Sequence, residues 1–174
     1  MLNLPLRAAA AATLLASLAS PAFAHITLET AEAPVGSGYK AVLRVPHGCD
    51  GAATTGITIK LPEGFVSAKP MPKPGWTLDI TTGDYAKPYK LFGSEVKSGA
   101  TEISWSGGNL PDNEYDEFVV RGTLADSLTP GDTLYFPVIQ TCTSGEEDWI
   151  DTSGSEDGTP APGLKLAPAV GGGD

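Results

Sequence analysis

The chain has 174 residues, with 11 Lys and Arg against 21 Asp and Glu, for a formal charge of −10. That balance repels phosphate backbones, so nucleic acid is excluded as a partner, and the length suits one domain. Two Cys cannot build a four-cysteine zinc site or an iron–sulfur cluster, and two His cannot build a three-histidine catalytic metal site.

Residues 1–24 read as a secretory signal: Arg7, an apolar run from Ala8 to about Leu18, then Ala22-Phe23-Ala24 as an A-x-A cleavage site. The run is too short for a spanning helix, and no other segment is long and apolar enough to be one. The mature protein is therefore expected to be exported, periplasmic or secreted, and to begin at His25. In an oxidising compartment Cys49 and Cys142 are expected to pair.

From His25 onward the pattern has period two. Ile26 and Leu28 alternate with Thr27 and Glu29; Ala41, Leu43 and Val45 follow; then Ile57, Ile59 and Leu61. Trp76, Leu78 and Ile80, Ile103 and Trp105, Phe118 and Val120, and Leu134, Phe136 and Val138 repeat the pattern. Gly36-Ser37-Gly38, Pro62-Glu63-Gly64, Pro74-Gly75, Gly107-Gly108 and Pro130-Gly131 punctuate it. Short strands so spaced, without a helical period, predict an all-β sandwich as a single domain over 25–168. Pro137 lacks an N–H, so Leu134–Thr141 is expected to be an edge strand or to carry a bulge. Leu164 and Leu166 are expected in a last short strand, and 169–174 as a flexible tail.

Cleavage after Ala24 gives His25 a free α-amine, whose pKa lies far below that of Lys. Amine and imidazole can then chelate one ion, and a further imidazole makes a three-nitrogen set suited to Cu(II). The other histidine, His47, lies in the loop Val45-Pro46-His47-Gly48-Cys49-Asp50. A Cys49–Cys142 bond would hold that loop near the acidic stretch Gly145–Asp151, where Trp149 stands among Glu146, Glu147, Asp148 and Asp151. A ring there could cover a metal ion, with Asp148 a candidate further ligand, whereas Trp76 and Trp105 read as core residues. Three alternatives stay open on the residues alone. The ion could be another divalent metal, His47 and Cys49 could bind Cu(I) if the thiol stays reduced, or both histidines could be ordinary surface residues.

Several stretches in order carry a resemblance: His25-Ile26-Thr27-Leu28, Val45-Pro46-His47-Gly48-Cys49, Leu61-Pro62-Glu63-Gly64, Pro72-Lys73-Pro74-Gly75-Trp76, Tyr115-Asp116-Glu117-Phe118, Tyr135-Phe136-Pro137-Val138 and Glu147-Asp148-Trp149. Together they resemble the YcnI-like copper-binding domain family of exported bacterial proteins over nearly all of 25–168. The resemblance implies an Ig-like or cupredoxin-like β-sandwich binding one Cu(II) per chain at a histidine brace made by His25, beside Trp149. Family members with a single-histidine brace use a carboxylate as the further ligand; here that loop carries His47, which would make a two-histidine site. The implied role is copper trafficking or homeostasis without a reaction of its own. Other periplasmic copper chaperones or membrane copper transporters would be its partners. Family members often carry a C-terminal membrane helix, and its absence here implies a free protein. Two other classes compete: a copper-dependent polysaccharide mono-oxygenase, which also uses a two-histidine brace, and a metal-free Ig-like interaction module.

Overall fold

A computed structural model describes residues 25–155 and 158–170. The expected signal at 1–24 and most of the expected tail, 171–174, lie outside the described residues. Twelve strands follow in chain order: β1 Thr27–Leu28, β2 Glu32–Pro34, β3 Gly38–Val45, β4 Thr54–Lys60, β5 Phe65–Pro70, β6 Thr77–Leu91, β7 Ser94–Leu110, β8 Asp116–Leu124, β9 Thr133–Tyr135, β10 Val138–Cys142, β11 Glu146–Trp149 and β12 Gly163–Ala167. No helix occurs among the described residues.

The strands form a four-stranded sheet in the order β1-β3-β8-β5 and a five-stranded sheet in the order β11-β10-β4-β7-β6. A small third sheet, β2-β12-β9, closes one side. The apolar sets at alternate positions face one another: Leu43, Phe118 and Val120 from one sheet, and Ile57, Ile59, Ile103, Trp105 and Val138 from the other, each at most 1% exposed. Trp105 meets Phe118 across the gap with ring centroids 5.4 Å apart. Alternation works because a strand turns successive side chains to opposite faces, so one face can be apolar throughout.

Four departures from the sequence expectation have physical causes. Leu134–Thr141 is not one strand. Pro137 breaks it, and β9 and β10 belong to different sheets, since proline cannot continue a ladder of N–H donors. The acidic stretch around Trp149 is not a loop but the edge strand β11, paired antiparallel with β10. Gly107-Gly108 does not end a strand. It lies inside the 17-residue β7, where a side chain on Gly108 would sit 2.0 Å from the Trp76 ring, so a glycine bulge lets that ring lie on the backbone. Strands β2 and β5, short and lacking strict alternation, were not expected.

The two motifs Pro72–Trp76 and Tyr115–Phe118 explain each other. Lys73 Nζ pairs with Asp116 Oδ1 at 2.6 Å and stands 4.8 Å over the Phe118 ring, while Trp76 meets that ring edge-on at 5.0 Å.

Tyr39 in β3 is buried between Phe65 and Phe136, and its hydroxyl donates to the Thr30 carbonyl at 2.6 Å. Burial, and then the charge of Glu29, pushes its phenol up to about 12. The folded state thus holds this proton over a range where the unfolded chain, titrating near its usual ~10, has lost it. The resulting stability is complete below about pH 10 and is lost as pH rises toward 12. The melting temperature is therefore expected to fall through this range. Tyr39→Phe should flatten the fall while costing about 1 kcal/mol at neutral pH for the lost hydrogen bond. An unaltered alkaline slope in that variant would contradict the assignment.

Candidate metal centre

His25, the first described residue, enters β1, which pairs with β3 so that Thr27 opposes Arg44 and Leu28 opposes Leu43. Ile26 and Leu28 go into the core, and this leaves His25 and Thr27 half-buried toward the outer side. The His25 ring meets the Trp149 ring at a centroid distance of 5.5 Å and an interplanar angle of 58°. Trp149 is 4% exposed and belongs to the core, on the inward face of β11 opposite Val138. The expectation that Trp149 stands in an acidic loop, apart from core residues such as Trp105, is corrected on that point. Its ring is a buried wall, and one side of it meets His25.

The alternation that buries Trp149 also sends Asp148 outward, where it is exposed on the far face of β11. Asp148 is thus turned away from the Trp149 side. Glu146, also on that outer face, accepts from the Thr141 hydroxyl at 3.2 Å.

Gln140 holds the centre together, and sequence reasoning missed it. It faces inward from β10 and is 0% exposed, opposite Glu147 on one side and Ile57 on the other. Its Oε1 accepts from Trp149 Nε1 at 3.0 Å. Its Nε2 donates to the His47 carbonyl and to Thr54 Oγ1, each at 2.8 Å. A buried amide whose oxygen and both N–H groups are engaged fixes its neighbours, because leaving any of these groups unpaired would be costly. The signal was readable: in Val138-Ile139-Gln140-Thr141-Cys142 the glutamine occupies an inward position between two buried residues.

His47 is placed by its main chain. Its carbonyl is tied through Gln140 to Trp149, and its Nδ1 lies against the Gly48 carbonyl. A carbonyl only accepts, so Nδ1 is the donor in this contact. The next residue must be glycine, because a side chain there would sit 1.8 Å from the Ala52 carbonyl oxygen. Gly48 N–H donates to Asp112 Oδ1 at 2.9 Å, and Cys49 and Ala52 exchange two main-chain hydrogen bonds. Cys49 is joined to Cys142, with Cα atoms 6.0 Å apart, so the expected disulfide clamps this loop to the end of β10. The clamp leaves no free cysteine, which removes the Cu(I) reading through His47 and Cys49 in the oxidised chain.

A cleft of about 430 Å³ opens beside His25, lined also by Thr27, Arg44, Pro46 and Tyr115. Arg44 and Tyr115 were not picked out as site residues. The Tyr115 hydroxyl donates to Glu117 Oε1 at 2.6 Å. Its phenol is pushed up to about 12, first by removal from water and then by Glu117, against a smaller opposing pull from Arg44.

Among the described residues no three His, Cys, Asp or Glu side chains gather into a metal-sized group. An ion held through the amine and imidazole of His25 in a chain cut after Ala24 would need no such group, unlike one held in a carboxylate cage.

A family model described as "Domain of unknown function (DUF1775)" matches residues 25–166. The chain belongs to the DUF1775 family. This is the YcnI-like family that the sequence motifs resemble, and its domain begins at His25. The DUF1775 chain is also similar to a solved structure titled "Crystal structure of an uncharacterized protein from Nocardia farcinica reveals an immunoglobulin-like fold". The two are 30% identical with a TM-score of 0.59, and the match covers 82% of this chain and 98% of that one. A search of curated proteins finds no match. The Ig-like sandwich expected for a DUF1775 member is the fold observed here.

Proposed function

We propose that the chain, cut after Ala24, binds one Cu(II) through the amine and imidazole of His25 and serves as an exported copper-trafficking protein. His47 is the further nitrogen donor in this reading. The observation that supports it best is the His25–Trp149 ring contact at 5.5 Å. A buried, hydrogen-bonded Trp against a half-exposed histidine gives an ion bound there one dry wall, where its electrostatic attraction to the ring face is least weakened by water. The partners would be a copper-supplying or copper-accepting periplasmic chaperone or membrane transporter, and the protein would transfer the ion without chemical change.

The test is a Cu(II) titration of protein beginning at His25, set against the same protein with one glycine left before it. The expected result is one ion per chain, bound about tenfold or more tightly without the glycine, because the extension turns the amine into an amide. His47→Ala should also weaken binding. Affinity should fall as pH drops, since protons compete for both nitrogen types. Equal affinity of the native and extended termini would refute the brace.

A further inference from the structure

Arg44 lines the cleft beside His25 with guanidinium hydrogen-bond donors that the fold leaves uncommitted. Thr27 and Arg44 are register partners on β1 and β3, so their side chains share one face, and both line that cleft with His25. Guanidinium stays charged at any working pH. Yet Arg44 Nε is buried without a hydrogen-bond partner, and Nη2 makes one long bond, 3.3 Å, to the Leu28 carbonyl. Glu117 opposes Arg44 across β3 and β8 and accepts from Tyr115 through Oε1, yet the two charges do not close to an ion pair: among the described residues the ion pairs are Lys73–Asp116 and Lys97–Glu95.

We propose that this cleft is an anion subsite that takes a small carboxylate or carbonate on Arg44, where the anion acts as co-ligand of the ion held by His25. The inference rests on the copper reading above. Two positive charges in one cleft repel, and a planar oxyanion between them is attracted by both. It can meet the guanidinium edge with two parallel hydrogen bonds and still offer an oxygen lone pair to the metal. The carboxylate could be a free small molecule or the side chain of a protein that exchanges copper with this one. In either case the guanidinium would select the incoming ligand by charge and shape.

The experiment titrates Cu(II) into protein beginning at His25 in a non-coordinating buffer, alone and with added bicarbonate, acetate or sulfate. Visible and electron paramagnetic resonance spectra are recorded alongside. Bicarbonate or acetate should tighten copper binding about tenfold and shift both spectra. Sulfate, which is tetrahedral, should do so far less. Arg44→Gln should retain anion-free copper binding and lose the response, and Arg44→Lys, which lacks the fork, should recover only part of it. A blocked Glu-containing tripeptide that reproduces the acetate effect would extend the site to protein carboxylates, and its failure would confine it to free anions. The proposal is overturned if native protein binds copper identically with and without carboxylate, if sulfate matches carboxylate, or if Arg44→Gln responds as native does. No copper binding in any buffer would instead overturn the copper reading itself.

Discussion

Replacing Cys49 and Cys142 together with alanine is expected to lower unfolding free energy by about 4–5 kcal/mol, the value for closing a loop of this length in the chain-entropy model. The bond spans a sequence separation of 93. Without it the unfolded chain gains freedom that folding must remove, while the folded sandwich keeps its ladders. Against the roughly 5–15 kcal/mol of a typical domain the loss is large. Urea unfolding of the native and double-alanine proteins, with and without reductant, measures it. Reductant should bring the native midpoint close to that of the variant and leave the variant unmoved. A difference under about 1 kcal/mol would mean that the β4–β10 pairing already restrains the unfolded chain. The local consequence is separate: Cys49 also anchors the loop carrying His47, so under the proposed copper reading the variant should bind Cu(II) more weakly even where it remains folded.

Gln140→Leu is expected to be the most damaging single change that removes no charge and scarcely alters volume. It strips Trp149 Nε1 of its acceptor and the His47 carbonyl and Thr54 hydroxyl of their donor, all at a position with 0% exposure. Each buried group left unpaired costs about 1–3 kcal/mol, and the added apolar burial of leucine recovers part, for a net loss of about 3 kcal/mol. Under the proposed copper reading, copper affinity should fall with it, since the tie between the His47 loop and Trp149 is gone. Gln140→Glu separates hydrogen bonding from charge. Burial raises the pKa of a carboxyl group in the folded state, so its proton is held there after the unfolded chain has released it. The variant should therefore come closest to native stability below the usual glutamate pKa of ~4.3 and lose stability steadily as pH rises above it. Urea midpoints at pH 4 and pH 7 decide the matter. A Gln140→Glu protein as stable relative to native at pH 7 as at pH 4 would show that the position is wetter than its burial implies.

The alternation of Leu43 with Val45, Ile57 with Ile59 and Ile103 with Trp105 was enough to read an all-β sandwich, because period two maps directly onto the two faces of a strand. The disulfide was legible from the two cysteines and the compartment expected for them. The roles around the candidate site were less so. Trp149 was singled out, but as a loop residue, since four acidic neighbours concealed a strand of which only one face is buried. Gln140 and Arg44 were overlooked, each for the same reason. A lone polar residue in a strand declares its face by position, but what it meets lies dozens of residues away: 93 to His47 and 86 to Thr54, which Gln140 bonds, and 73 to Glu117, which stands opposite Arg44 in the sheet register.

The sequence by itself determined the class of fold, the cysteine pair and the singular position of His25 after an A-x-A site, because these depend on local periodicity, residue type and chain order. Only the tertiary structure decided that Trp149 faces inward while Asp148 faces out, and that Gln140 joins the His47 loop to Trp149. It also decided that Arg44 lines the cleft beside His25 without closing an ion pair. Those relations are set by sheet register and by which strands become neighbours. Strand pairing depends on contacts between distant segments, and no period or motif within a single segment encodes it.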